Sequence, residues 1–495
     1  MEGFINRNEE LTLLAEAVDT LQDRQRLLRT PVVEFYGVEG IGKTTLLQKV
    51  ASWCREKQLS YVWADAKKHP PQQFINEARV LVEKEEPVVA ILDSLEAANE
   101  GQLHEIEDGL HDLVERNNLF VLLASRSIQR FEKTRSLART LTARLLKPLK
   151  RDACLEFLGS YHSAITPEIR NAIFEWTRGY PLAMNVMTDA IVQDHLNPLE
   201  ASGQQLLIQL IMQKVVQDKL LASVSAADFA RFETLLSLFS VPRRFNLILM
   251  QDLINNFASQ YSLENSMAYI TLPSTINRAG GVLNWDLERS GYCIDGPVRN
   301  LFLLRYQFEQ GQEYHAIHEF LAEKNKAYMQ SVTGSDRIRY LREYLYHLAF
   351  SIADRASLRS IIEKQIEDIK RPDDFLQLYE EFLRDEELQE ALGKDNASFA
   401  ISLMRRNYIK VYCHLPAEDR RGSLKQFFSY TVSNVKTDDF SRIFEEGMRQ
   451  IIKQESGANA TKLYTELRDD EELRSMLEEH YEAVMARIEH DLQEG

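Results

Sequence analysis

Val33-Glu34-Phe35-Tyr36-Gly37-Val38-Glu39-Gly40-Ile41-Gly42-Lys43-Thr44-Thr45 sets two glycines, a lysine and a threonine in the spacing G-x-x-x-x-G-K-T. An apolar run, Val32 to Tyr36, leads into it, and a helix-like stretch, Thr45 to Cys54, leads out. That context matters as much as the letters. A strand delivers the loop, and a helix N-terminus then aims its free N–H groups and the positive end of its dipole at a phosphate. Glycines let the backbone turn with positive φ and approach the phosphate closely. Lys43 is placed to bridge β- and γ-phosphate oxygens, and the Thr44 hydroxyl to ligate Mg²⁺. A glycine-rich turn before an ordinary helix is the plain alternative, but it gives no reason for Lys and Thr to stand at those two positions. The stretch predicts a nucleoside triphosphate site lined by Gly37, Val38, Glu39, Gly40, Ile41, Gly42, Lys43, Thr44 and Thr45.

The chain has 495 residues, room for three or four domains. An apolar content of 44% with 27% charged residues is that of a globular protein and excludes a disordered one. The formal net charge of −16 is unevenly placed: residues 371–495 hold 27 acidic and 17 basic side chains, a net of −10. Such a surface repels a phosphate backbone, which argues against nucleic acid as the partner of that end. Cys54, Cys154, Cys293 and Cys413 lie far apart, with no C-x-x-C, and read as thiols of a reducing cytoplasm. The first seven residues lack a basic-then-apolar signal pattern, and no run of about 18 apolar residues occurs. A soluble cytoplasmic protein without a membrane partner is the expectation.

Residues 1–149 alternate short apolar runs with amphipathic helices, the pattern of a parallel α/β sheet with buried strands. Strands are expected at Val32–Tyr36, Leu59–Ala64, Val88–Leu92, Leu119–Ala124 and Arg144–Leu146. Residues 150–202 read as a helical lid, with Pro167 and Pro181 placed as helix starters. Within 203–310, helices are followed by two short extended pieces around a turn, near Gly280-Gly281 and Gly291, which suggests a winged-helix unit. Residues 311–495 read as wholly helical. There, Leu378–Leu392 and Leu463–Leu477 match at 8 of 15 positions without a gap. Two copies fall short of the three or more that a solenoid usually needs, so a short repeat and two helices sharing an acidic face both stay open.

Val88-Val89-Ala90-Ile91-Leu92-Asp93 ends an apolar strand in a carboxylate, which can hold the water shell of Mg²⁺ beside Thr44. Ser94 stands where many ATPases carry a second carboxylate, and Glu96 is the nearest substitute as hydrolytic base, or else the first turn of the next helix. Without a well-placed base, hydrolysis should be slow, which suits a switch better than a motor. Leu119 to Ser125 runs as a strand into Arg126, where a guanidinium can reach a γ-phosphate and report it. Lys43, Asp93, Glu96 and Arg126 are therefore the catalytic candidates, with Thr44 and Asp93 holding the metal.

Together these residues resemble the STAND class of P-loop ATPases, relatives of the AAA+ proteins that include NB-ARC and NACHT signalling proteins. Phe4-Ile5-Asn6-Arg7-Asn8-Glu9-Glu10-Leu11 resembles the family opening F-V-G-R-x-x-E-L. Gly37–Thr44 resembles Walker A, Val88–Glu96 Walker B, Ala124-Ser125-Arg126 the sensor arginine, and Gly179-Tyr180-Pro181-Leu182-Ala183 the family's G-x-P-L-A. The match covers about residues 1–310. It implies a sheet ordered 2-3-4-1-5, with the sensor strand between the Walker strands. It also implies that Phe4, Ile5, Arg7, Pro181 and Leu182 border the adenine of ATP or ADP, and that a winged-helix domain closes over the nucleotide. In that domain Asp295 stands where the family often has a histidine that touches the β-phosphate; Asn6 for glycine and Ser94 for a carboxylate are further departures.

The resemblance implies a nucleotide switch. An ADP-bound closed form would exchange for ATP when a trigger engages the C-terminal helices, then form a homo-oligomer and recruit an effector acting in trans, in defence, regulated cell death or other regulation. Two alternatives belong to other classes: a DNA-binding ATPase of the origin-recognition kind, with Arg243 and Arg244 as phosphate contacts, and a plain turnover ATPase.

Overall fold

The computed structural model describes residues 7–494 apart from 24–26, 129–130, 132–136, 138–139, 162–164, 288–289, 310, 413–436, 455–456, 470, 472–473, 475–476 and 478–479. Phe4, Ile5 and Asn6 of the opening motif lie outside the described residues, as do Cys413, Asp470 and Glu472.

Five strands form the first sheet: β1 (Val32–Tyr36), β2 (Ser60–Asp65), β3 (Val88–Asp93), β4 (Leu119–Ser125) and β5 (Leu141–Leu145). All pair in parallel, in the order β2-β3-β4-β1-β5. Every residue of β3 and β4 is buried, as expected of central strands covered on both faces. Helices α1 (Asn8–Gln22), α2 (Lys43–Glu56), α3 (Pro71–Val82) and α4 (Glu100–Val114) supply the cover. Phe74, Ile75, Ile106 and Leu110 of α3 and α4 join Val88, Ala90, Val121 and Leu123 in one apolar core. Register puts Tyr36 opposite Ser125 and Asp65 opposite Asp93, so the C-terminal ends of the strands finish side by side. In open α/β sheets this is the edge where ligands bind.

Several boundaries differ from the sequence expectation: β2 is Ser60–Asp65 where Leu59–Ala64 was expected, and β3 and β4 each run one residue further, to Asp93 and Ser125. The last strand is Leu141–Leu145, where Arg144–Leu146 was expected. It is an edge strand of half-buried and exposed residues, so it shows no apolar run. The helix after the glycine loop begins at Lys43 instead of Thr45, because Gly42 itself is its left-handed N-cap.

Helices α5 (Arg151–Tyr161), α6 (Pro167–Thr177) and α7 (Pro181–Gln193) follow, the last two with proline in the first turn. After α8 (Ala201–Ile211) and a π-helical stretch (Met212–Leu220) come α9 (Ala226–Ser240), α10 (Leu247–Phe257) and α11 (Ser266–Gly280). An antiparallel hairpin, β6 (Leu283–Asp286) and β7 (Gly291–Ile294), leads into α12 (Gly296–Glu309). Phe245, between α9 and α10, exchanges backbone hydrogen bonds with Tyr292 and so docks the hairpin on the helices.

The chain divides into two compact units, Met1–Gly311 and Gln312–Gly495. In the second, every assigned element among the described residues is a helix. Tyr344 and Tyr346 are buried in its core together with Tyr379 and Tyr464, one tyrosine from each copy of the short repeat. The acidic face left open for the two repeat copies does not include Asp385, which is 7% exposed. Its carboxylate accepts from Leu388 N at 3.0 Å, capping the helix Glu386–Leu392, and from Arg342 Nη2 at 2.5 Å. No helix among the described residues is long and apolar enough to cross a membrane.

Candidate functional site

The glycine loop joins β1 to α2 at the C-terminal edge of the sheet. Gly42 holds φ 104°, a left-handed conformation that turns the chain into α2 and directs its first N–H groups into the loop. Gly40 is required for a second reason: a Cβ there would lie 2.5 Å from Leu182 Cβ, so only glycine lets the loop pack on the start of α7. The Lys43 ammonium curls back over the loop and donates to the carbonyls of Gly37 at 2.6 Å and Val38 at 3.1 Å. Burial pushes its pKa down to about 8, with the Glu96 and Asp93 carboxylates pulling the other way.

Asp93 closes β3, and its two oxygens are already oriented. Oδ2 accepts from the Thr44 hydroxyl at 2.7 Å and Oδ1 from Ser94 N at 2.8 Å. Thr44 and Asp93 thus share one point at the loop's mouth. Ser94 takes a left-handed φ of 59°, which turns the chain sharply so that Glu96, in the short 3₁₀ turn Leu95–Ala97, re-enters the cleft. Glu96 is therefore a cleft residue and does not begin α4, whose N-cap is Asn99. Its Oε1 lies 3.5 Å from Arg126 Nε and 3.6 Å from Lys67 Nζ. Its Oε2 is buried with no hydrogen-bond partner among the described residues.

Arg126 follows directly on β4 and reaches across to pair with the Glu39 carboxylate. Its stem runs beside Gly281, where an added Cβ would sit 3.4 Å from Arg126 Cδ. The hydroxyl of Tyr180, fully buried, donates to the Glu39 carbonyl. Burial, then the nearby Asp295 and Glu39 carboxylates, hold that phenol far above its usual pKa. Asp295 sits between β7 and α12, half-buried; burial pushes its carboxyl up to about 6, with Lys43 opposing.

The residues singled out in the sequence divide as follows. Glu39, Gly40, Gly42, Lys43, Thr44, Thr45, Asp93, Glu96, Arg126, Pro181 and Leu182 line one cleft of about 300 Å³. Val38 and Ile41 are buried in the loop itself. Arg7 is turned to the loop's back: it donates to Ile41 O at 2.8 Å and Lys147 O at 2.6 Å, bracing the loop against the segment after β5. Lys67 and Asn185 also line the cleft, and no motif marks either. Arg243, read as a DNA contact in the origin-recognition alternative, is 1% exposed and is not a surface cation.

This donor set fits a magnesium-bound nucleoside phosphate. The first amides of α2 and the Lys43 ammonium would hold phosphate oxygens, while the Thr44 hydroxyl and Asp93 carboxylate are hard oxygen ligands suited to Mg²⁺. When bound, the ion would neutralise charge on the phosphates. Pro181 and Leu182 offer an apolar wall on the far side of the loop, and Glu96 is the carboxylate available to take a proton from water.

No protein-family model matches the sequence, and a search of curated proteins finds no match. Among solved structures, the RuvB Holliday junction branch migration motor of Thermotoga maritima is 16% identical over 59% of this chain and 93% of its own, with a TM-score of 0.34. A signal transduction ATPase with numerous domains and a tetratricopeptide repeat sensor, from Pyrococcus horikoshii, is 15% identical over 99% of this chain and 68% of its own, with a TM-score of 0.28. Cdc6p of Pyrobaculum aerophilum is 13% identical over 61% and 93%, with a TM-score of 0.32. Scores this low say nothing of what this chain does. Its own strand order, glycine loop and Thr44–Asp93 pair give the N-terminal unit the fold of a P-loop ATPase, the fold on which the STAND class is built.

Proposed function

We propose that the chain is an ATP/ADP-binding switch with Mg²⁺ as cofactor. Its nucleotide state controls self-association and the recruitment of an effector acting in trans, and residues 311–495 receive the trigger. One observation carries the reading: residues of the 203–310 segment stand against the phosphate end of the cleft. Asp295 is within electrostatic reach of Lys43 and Tyr180, and Gly281 packs along the Arg126 stem. Asn300 Nδ2 donates to Trp176 O at 2.9 Å, which ties α12 to the lid as well. A change of charge at the phosphates therefore acts directly on a segment outside the nucleotide-binding sheet, which is what a switch needs. The ion pairs on Glu96 favour slow turnover, since a carboxylate held between Arg126 and Lys67 has to leave them before it can orient a water.

Light scattering of the purified chain tests this reading. With MgADP the expected mass is that of the 57.3 kDa monomer, and with a β,γ-imido analogue of ATP it is a multiple of it. One mass under both conditions, with both nucleotides bound, would end the switch reading. The presence of Glu96 in the cleft favours a second reading, a turnover ATPase. A steady-state rate above the median enzyme value of about 10 s⁻¹ would select it.

A further inference from the structure

We propose that Glu39 sets nucleotide specificity: its carboxylate competes with a third phosphate for Arg126 and biases the cleft toward the diphosphate. This rests on the switch reading of the same site. A phosphate-binding loop works through amides and cations, so an acid inside it is electrostatically out of place unless it has another task. Glu39 is that acid. Its carboxylate pairs with Arg126, while its backbone is held from both sides: the Tyr180 hydroxyl donates to its carbonyl, and the next residue, Gly40, is packed on Leu182. The carboxylate is thus fixed at the mouth of the loop.

Arg126 is held on its other side as well. Its Nε faces Glu96 at 3.5 Å, and Glu96 in turn faces Lys67 at 3.6 Å. The result is a chain of alternating charge across the cleft, Lys67, Glu96, Arg126, Glu39. Lys43 feels the fields of Glu96, Asp93, Arg126 and Glu39 together, so all of them share one electrostatic neighbourhood. A diphosphate seated on the α2 amides and Lys43 requires none of these pairs to break. A third phosphate brings its charge toward Arg126 and has to displace Glu39 from it. Taking Arg126 from Glu39 also loosens its hold on Glu96, so the same event that registers ATP frees the candidate base. The pair is partly exposed, 21% for Arg126 and 30% for Glu39, so solvent screening keeps the bias modest, on the order of ten-fold.

Calorimetric titration of MgADP and of the Mg²⁺ complex of β,γ-imido ATP tests the inference, using wild type, Glu39→Gln, Arg126→Ala and the double variant. Glu39→Gln keeps the size of the side chain and should raise the affinity ratio of the ATP analogue to ADP by about ten-fold. In the Arg126→Ala background the same substitution should change that ratio by less than about two-fold, because the competition has lost its object. A ratio unmoved by Glu39→Gln overturns the proposal. So does an equal rise in both backgrounds, which would mean general charge removal and no competition for Arg126. Wild type that binds neither nucleotide overturns the switch reading and this inference with it, whereas binding of both with an invariant ratio overturns the role of Glu39 alone.

Discussion

Replacing Lys43 with methionine should make the fold more stable while destroying its use. The ammonium is partly buried over the loop, and its pKa falls from the usual 10.5 to about 8, chiefly through desolvation. At about 1.36 kcal/mol per pH unit, that displacement sets about 3 kcal/mol of folding free energy against the charged form. Methionine keeps the stem's volume and removes the charge. It also leaves the Gly37 and Val38 carbonyls without a donor, which costs back about 1–2 kcal/mol. The net gain of about 1–2 kcal/mol corresponds to a rise in Tm of about 2–4 °C for a unit of this size. The sign with pH follows from the folded pKa lying below the unfolded one. The penalty is complete below about pH 8 and fades as pH climbs toward 10.5, so the gap between variant and wild type should close over that window. The assay is thermal unfolding of EDTA-stripped protein at pH 7 and pH 10, with and without MgADP. Lys43→Met should melt higher than wild type at pH 7 without nucleotide and show no rise on adding MgADP. A variant that melts several degrees lower, or that keeps the rise caused by MgADP, refutes the reasoning.

Glu96→Gln should lower the slow steady-state hydrolysis at least ten-fold while leaving MgADP affinity within about two-fold, measured by phosphate release and calorimetry; an unchanged rate would remove Glu96 from the chemistry. Asp295 charges as pH rises through about 6, so MgADP affinity should fall between pH 5 and 7, and Asp295→Asn should flatten that profile. Its raised folded pKa also means that Asp295 stabilises the fold fully below about pH 4 and loses that contribution as pH rises through 6. A chain ending at Gly311 should bind MgADP as the full chain does, because the first compact unit contains the whole cleft, yet fail to respond to the trigger; loss of binding on truncation would place part of the site beyond residue 311.

How much of this was legible depended on where each feature's physics lies. Strands β3 and β4 announce themselves because covered parallel strands are apolar on both faces, and Gly37–Thr44 because phosphate chemistry dictates residue types at fixed spacing. Strand β5 was expected but three residues late at its start, since an edge strand of half-buried and exposed residues makes no apolar run to mark its bounds. Glu96 was ambiguous in the sequence because only the left-handed turn at Ser94 decides that it points back into the cleft. Lys67 was invisible. It follows an edge strand in an ordinary turn, and only the register of β2 on β3, which sets Asp65 beside Asp93, carries it to Glu96. The pairing of Arg126 with Glu39 joins residues 87 apart and depends on β4 lying beside β1, which no local pattern encodes. Arg7 was found by its motif, yet the structure gives it the task of bracing the loop from behind.

The most direct test of the account is titration of MgADP into the stripped, intact chain, repeated in EDTA and with Thr44→Ala. One site per chain is expected, with affinity that drops when Mg²⁺ is withdrawn and that in Thr44→Ala no longer depends on Mg²⁺, since Thr44 and Asp93 share the point where the ion would sit. No binding by the wild-type chain, or a Mg²⁺ dependence that survives Thr44→Ala unchanged, would contradict the assignment of Gly37–Thr44 and Asp93 as the nucleotide site.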